Sequence, residues 1–256
     1  MKKNWFFYTA FLVFLIHILS CSADLELLKK QEEATRFVGE AYMGQGDYTA
    51  ALNELLKAEQ MYSKDPHLHN DLGLVYMSKD KLELAIVHFN KAIELKPDYA
   101  PARNNLGTAY LAKNDWDSAI ACFKEVSKDL LYATPHYPLS NLGWSYYNKK
   151  DFIAAEQYYK EALKFEPKFS VALHGLGLTY LATGNASEAV SYIEKAVRYS
   201  PGFPELQMDL AGAYVLLKEY AKAVDIYNKV IQVAPESIMA VQSKKEITRI
   251  QKEYMK

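Results

Sequence analysis

Small residues recur at a near-constant spacing through residues 32–237. These small positions, called anchors below, are separated by 34 residues, with one step of 36, and are Gly39, Gly73, Gly107, Gly143, Gly177 and Ala211. A tyrosine follows each anchor after three residues, at Tyr42, Tyr76, Tyr110, Tyr146, Tyr180 and Tyr214. Sixteen residues after each anchor stands a bulky side chain, from Leu55, Phe89, Phe123, Tyr159, Ile193 and Tyr227. A fixed period of this size predicts a solenoid of stacked repeats.

The repeated positions also predict the packing of each unit. A Gly or Ala anchor allows two antiparallel helices to cross closely, whereas a larger side chain would hold them apart. We expect the tyrosine and the bulky residue to fill the gap between helices of neighbouring units. Prolines such as Pro97 and Pro167 follow the second helices, which they end by removing an N–H donor. Helices of about 14 residues are marginal alone, so stacking must stabilise them.

The segments Leu106-Gly107-Thr108-Ala109-Tyr110 and Leu142-Gly143-Trp144-Ser145-Tyr146 resemble the tetratricopeptide repeat (TPR) family. The resemblance implies an all-α TPR superhelix, an α-solenoid of helix-turn-helix repeats. Six units are predicted, at residues 32–65, 66–99, 100–135, 136–169, 170–203 and 204–237, which together form one array over 32–237. Residues 238–256 carry an apolar stripe opposite basic residues, and we predict that they form a C-terminal capping helix.

The first 21 residues are typical of a bacterial lipoprotein signal. Lys2 and Lys3 precede a 15-residue apolar stretch, and Ile18-Leu19-Ser20-Cys21 resembles a lipobox. We therefore predict a signal peptide over 1–20, an acylated Cys21 that anchors the protein to the membrane, and a short tether over 21–31. An uncleaved signal anchor with an incidental cysteine is the alternative. Ser22 after the cysteine resembles the signal for outer-membrane sorting, so the predicted location is the periplasmic face of the bacterial outer membrane.

Composition and candidate chemistry argue against catalysis. The formal net charge is −1, which gives no electrostatic basis for nucleic-acid binding. His67 and His69 lie two residues apart and would point to different helix faces, so they are poor joint metal ligands. Cys122 suits a small buried position in a second helix, and Gly175 and Gly177 fall on the repeat pattern. The sequence therefore predicts no enzyme, no cofactor, no metal and no small-molecule substrate.

Protein binding is the function that the pattern favours. In the TPR family the first helices line the concave face, and the polar first unit contributes Arg36, Glu40 and Met43 there. The predicted partner-binding groove is Asn70, Leu74, Met77, Asn104, Thr108, Leu111, Trp144, Tyr147, His174, Leu178, Leu181, Met208 and Val215, with Ser140 and Gly212 at equivalent positions. It lacks the lysines with which chaperone-adaptor TPRs hold a carboxylate. An apolar groove suits an amphipathic helix or an extended apolar segment, unless these residues pack against the next unit.

The whole chain resembles a narrower family, the type IV pilus biogenesis lipoproteins (PilF/PilW, with Tgl). The resemblance lies in the lipobox, the six-unit length and the segment Leu131–Pro135 that leads into Asn141-Leu142-Gly143-Trp144. It implies a pilotin, with a secretin subunit as the protein partner. A lipoprotein adaptor for cell-wall hydrolases or synthases is the alternative. Residues 128–138 either re-angle the following helix pair or contact a partner.

Overall fold

The computed structural model describes residues 24–129 and 132–254, and within these ranges the secondary structure is helical, without strands. This confirms the predicted all-α class. The predicted signal peptide, Cys21 and the junction residues Leu130 and Leu131 lie outside the described residues. Within the described ranges, no helix combines the length and the apolar character needed to cross a bilayer.

Pairs of helices follow one another along the chain. Helix α1 covers residues 24–44. The others are α2 (Tyr48–Met61), α3 (Pro66–Ser78), α4 (Leu82–Leu95), α5 (Ala100–Ala112), α6 (Trp116–Val126), α7 (His136–Asn148), α8 (Phe152–Phe165), α9 (Ser170–Ala182), α10 (Ala186–Tyr199), α11 (Pro204–Leu216), α12 (Tyr220–Val233) and α13 (Ile238–Tyr254). Each odd-numbered helix from α3 onward begins at the first residue of a predicted unit or of the predicted capping helix.

The chain divides into two compact bodies, with the boundary after Lys113. In the N-terminal body, α3 packs against α2, α4 and α5. In the C-terminal body, α7 packs against α8 and α9, α9 packs against α10 and α11, and α12 packs against α11 and α13. Within each body, first helices of successive units are therefore neighbours, as stacked repeats require.

The anchors lie where the steric argument from the sequence places them. A β-carbon added at Gly39 would approach Leu55 to 2.8 Å, and one at Gly73 would approach Phe89 to 2.4 Å. In these two units the bulky side chain thus fills the space left by the missing side chain of the anchor. The same close approach recurs in the C-terminal body, at 2.8 Å for Gly143 on Tyr159 and at 2.4 Å for Gly177 on Ile193.

Tyrosines after the anchors pack within their own unit and also against the preceding unit. Their rings stack within their own unit, at 5.4 Å between Tyr146 and Tyr158 and 5.6 Å between Tyr180 and Tyr192. The expected contact with a neighbouring unit is present as well, since Lys160 of the preceding unit lies over the ring of Tyr180, 5.9 Å from its centroid. The phenol hydroxyl of Tyr180 also donates a hydrogen bond to Glu156 on α8 at 2.9 Å.

A left-handed residue lies between the two helices of every unit. It stands seven positions after each anchor, and the set is Gly46, Asp80, Asn114, Lys150, Gly184 and Lys218. The residue that follows it is the N-cap of the second helix. Three of these N-caps are Asp47, Asp115 and Asp151, whose carboxylates accept a backbone N–H of the first turn. The turn and the helix start are therefore specified together.

The ends of the array differ from each other. Residues 24–31, predicted to belong to a tether, are helical and form the start of α1, so the predicted tether is too long at its C-terminal side. At the other end, α13 buries Ala240, Ser243 and Ile250 and leaves its basic residues exposed. A helix with one apolar and one polar face is what the end of a solenoid requires.

Candidate functional site

Three aromatic side chains, of which Trp144 is exposed and Tyr147 and Phe152 are half-buried, form a surface at the C-terminal end of α7 and the start of α8. Trp144 and Tyr147 stack at 5.5 Å with their planes 10° apart, and Tyr147 meets Phe152 edge-on at 5.6 Å. Trp144 is 40% exposed, although its ring is held by this stack. We call these three residues the aromatic platform. A large, rigid and partly exposed aromatic surface is suited to anchor an apolar side chain of a partner.

The other predicted groove residues of the C-terminal body are half-buried. Leu181, Met208 and Val215 pack against the core that contains Leu210 and Tyr214. Much of the surface of these three residues is therefore buried inside the array. Packing against the next unit was the alternative to groove lining that the sequence left open. Leu178, on α9, is also half-buried and keeps part of its side chain accessible.

Polar side chains on the first helices form a ladder between successive units. In each pair the second residue lies 35 positions after the first. The pairs are Arg36 with Asp71 at 3.3 Å, Asn70 with Asn105 at 2.9 Å, His174 with Asp209 at 2.7 Å, and Met208 with Ser243 of the last helix at 3.2 Å. We call this set the inter-unit ladder.

The inter-unit ladder changes the interpretation of two predicted groove residues. Asn70 is buried, with 7% of its surface exposed, and its amide oxygen accepts a hydrogen bond from the next unit. The ring of His174 is committed to Asp209. Both side chains therefore hold neighbouring units together. Ser140, at the equivalent position of the fourth unit, is buried as well.

The remaining predicted groove residues of the N-terminal body are partly accessible. These half-buried side chains are Leu74, Met77, Asn104, Thr108 and Leu111. Thr108 donates to the carbonyl of Asn104 in its own helix at 3.1 Å, which leaves mainly its methyl group to a partner.

An apolar pocket that the sequence pattern did not indicate lies beside His174. Its volume is about 280 Å³, and its walls include Val171, Phe203 and Leu206. Val171 is 57% exposed and Phe203 is 59% exposed. The sequence feature that could have indicated this pocket is the apolar pair Val171, at the start of α9, and Phe203, just before Pro204.

A buried charged cluster surrounds Arg36 in the N-terminal body. Its Nε lies 3.2 Å from Asp65 and 4.0 Å from Glu32, and its Nη1 contacts Asp71 and Glu40. Burial, followed by the charge of Asp65, raises the pKa of Glu32 to about 7. Burial also raises the pKa of Asp71, assisted by its hydrogen bond with Glu40. One arginine cannot neutralise four carboxylates, so this cluster binds protons near neutral pH.

Two histidines and a glutamate meet in the same body. His69 Nδ1 lies 3.0 Å from His88 Nδ1 and 3.9 Å from a carboxylate oxygen of Glu59. Burial, together with the charge of His69, lowers the pKa of His88 to about 4, so its ring is neutral at pH 7. The ring of His67 contacts Tyr99 and not this group, in agreement with the expectation that His67 and His69 point to different helix faces.

Sequence and structure comparisons confirm the predicted repeat. Tetratricopeptide repeat models match residues 39–80, 73–114, 102–134, 137–169 and 180–245. By sequence, no curated protein matches this chain.

Three solved structures illustrate the likeness. PilW, a type IV pilus biogenesis factor, is 22% identical with a TM-score of 0.76, covering 81% of this chain and 96% of its own. PilF of Pseudomonas aeruginosa is 17% identical with a TM-score of 0.74, covering 86% and 99%. YrrB, a TPR protein with an unusual peptide-binding site, is 21% identical with a TM-score of 0.54, covering 75% and 97%.

Proposed function

Because this chain belongs to the tetratricopeptide repeat family, whose members are scaffolds for protein–protein interaction, we propose that it is a pilotin. In this proposal it is an outer-membrane lipoprotein that binds a segment of a secretin subunit and promotes secretin assembly for type IV pili. The fold likeness to PilW and PilF over most of each chain supports this choice.

The aromatic platform is the observation that carries the binding proposal. Trp144 and Tyr147 are already ordered by stacking, so little further side-chain entropy is lost when a partner docks. Covering the exposed ring of Trp144 and the accessible part of Tyr147 removes apolar surface from water, which favours association. An apolar helix or extended segment that buries a side chain against Trp144 fits this surface.

The lipid anchor is the second part of the proposal. The lipobox-like Ile18–Cys21 would give Cys21 its acyl chains. In the sequence, two residues separate Cys21 from Asp24, which lies in α1. Such a short connection would hold the first unit close to the bilayer.

The experiment combines Trp144→Ala with Leu178→Asp and measures the ratio of secretin multimer to monomer in outer-membrane fractions. We expect a normal circular dichroism spectrum, normal membrane association and fewer multimers. Ile153→Ala is the matched control, since Ile153 is 85% exposed on α8 outside the aromatic platform.

A complete deletion provides the decisive comparison. Normal secretin multimers in a deletion strain would refute the pilotin proposal and favour the cell-wall adaptor. Normal multimers in the double variant alone would exclude only the platform as the docking surface.

A further inference from the structure

The contact between His69 and His88 shows which ring nitrogens are available to a ligand. His69 Nε2 lies 2.9 Å from the backbone carbonyl oxygen of Ser63, which can only accept a hydrogen bond. Nε2 must therefore carry a proton, which leaves Nδ1 as the nitrogen whose lone pair can accept a hydrogen bond or bind a metal. That lone pair faces His88 Nδ1 at 3.0 Å, so either a proton on His88 or a cation must join the two nitrogens.

We propose that Glu59, His69 and His88 bind one divalent transition-metal ion, with Zn²⁺ as the representative ion. The three ligand atoms lie within 4.8 Å of one another. Tetrahedral ligation with Zn–N bonds of about 2.0–2.1 Å places two nitrogens about 3.3 Å apart, so only a small adjustment is needed. Imidazole and carboxylate together suit Zn²⁺ and its neighbours better than Mg²⁺ or Ca²⁺.

The surroundings support ligation. The bond from His69 Nε2 to a backbone carbonyl is the outer contact that commonly orients metal-bound histidines. A cavity of about 500 Å³ adjoins the three residues and gives an ion and a water ligand access. Lys91 also borders this cavity, but its ammonium group pairs with Glu94 at 3.0 Å, which offsets its charge.

The three ligands come from three helices. Glu59 lies on α2, His69 on α3 and His88 on α4, so a bound ion would join the first two repeats of the N-terminal body. We expect the ion to raise the thermal midpoint, because a ligand that binds only the folded state stabilises it.

The test uses the full chain, purified in detergent without an affinity tag, in a competition between the protein and a chromophoric chelator for Zn²⁺. We expect one Zn²⁺ per chain, with binding weakened at least about 100-fold by His88→Gln and by Glu59→Gln. His67→Gln is the matched control and should bind as the wild type does. Mg²⁺ should not compete.

A second measurement needs no variant. Zn²⁺ should protect His88 of the wild type from diethyl pyrocarbonate, with His67 and His136 as internal references. Failure of the wild type to bind Zn²⁺, unchanged binding in both ligand variants, or absence of protection would overturn the proposal. None of these outcomes bears on the secretin assay.

Discussion

The ring of Tyr159 occupies the space that a side chain on Gly175 would need. A β-carbon at Gly175 would lie 2.2 Å from Cζ of Tyr159, and the same ring closes on Gly143 at 2.8 Å. Tyr159 on α8 thus fits between the first helices of its own unit and of the next one.

Gly175→Ala is therefore expected to destabilise the protein by about 1–3 kcal/mol, because the buried ring has no room to move. Gly212→Ala should instead stabilise it by roughly 0.5–1 kcal/mol, since Gly212 lies inside α11 with no atom within 4 Å of the added carbon. Denaturant unfolding of both variants shows whether each substitution lowers or raises the unfolding free energy. Equal effects would contradict this packing.

The left-handed turns give a second prediction. Lys150 has φ +62°, a conformation that costs a residue with a β-carbon about 1 kcal/mol relative to glycine. Lys150→Gly should raise the unfolding free energy by roughly 0.5–1 kcal/mol. Lys149→Gly, at φ −75°, is the control and should give no gain. Thermal melts that show a lower midpoint for Lys150→Gly would count against the argument.

The charged cluster predicts a pH dependence of stability. The pKa of Glu32 is raised to about 7, so the folded state binds a proton more tightly than the unfolded chain does. Stability from this group is fully present below its unfolded pKa and is lost as pH rises through about 7. The unfolding free energy should fall by roughly 1–3 kcal/mol between about pH 5 and pH 8, at about 1.4 kcal/mol per pKa unit.

Glu32→Gln should reduce this slope and leave the contribution of Asp71, whose pKa is raised in the same direction. Glu33→Gln, at the exposed neighbouring position, should change the profile less, because the charge of Glu33 makes only a smaller contribution to the raised pKa of Glu32. Urea unfolding at several pH values provides the measurement. A wild-type stability that rises over this pH range would show that another group dominates.

The proposed anchor gives a fourth prediction. Cys21→Ser should leave the helical fold intact and move the protein out of the outer-membrane fraction, because no acyl chain can be attached. Cys122→Ser is the matched control and should remain with the membrane. Retention of the Cys21 variant in outer membranes would exclude lipidation at this residue as the anchor.

The repeat could be predicted from the sequence because its steric requirements recur at fixed positions. Gly73 and Phe89 complement each other as their counterparts do in other units, so both positions can be recognised from the repeat pattern. The metal-ligand candidates show the opposite case. Glu59, His69 and His88 occupy unrelated positions of the repeat, and only the packing of three helices brings them together.

The aromatic platform was partly predictable. Helical spacing placed Trp144 and Tyr147 on one face, but the added contact with Phe152 depends on how the turn at Lys150 directs α8. Asn70 was assigned to the groove because its own helix gave no sign that Asn105 would bond to it.

The inter-unit ladder makes the repeats non-interchangeable. Arg36 meets a carboxylate, Asn70 meets an amide and His174 meets a carboxylate, so the donor and acceptor pair differs between these three junctions. Excising residues 66–99 would preserve the backbone period yet set Arg36 opposite Asn105 and remove the carboxylate of Asp71. Shortening this array by one whole repeat is therefore a change of partner at a junction, as well as a loss of length.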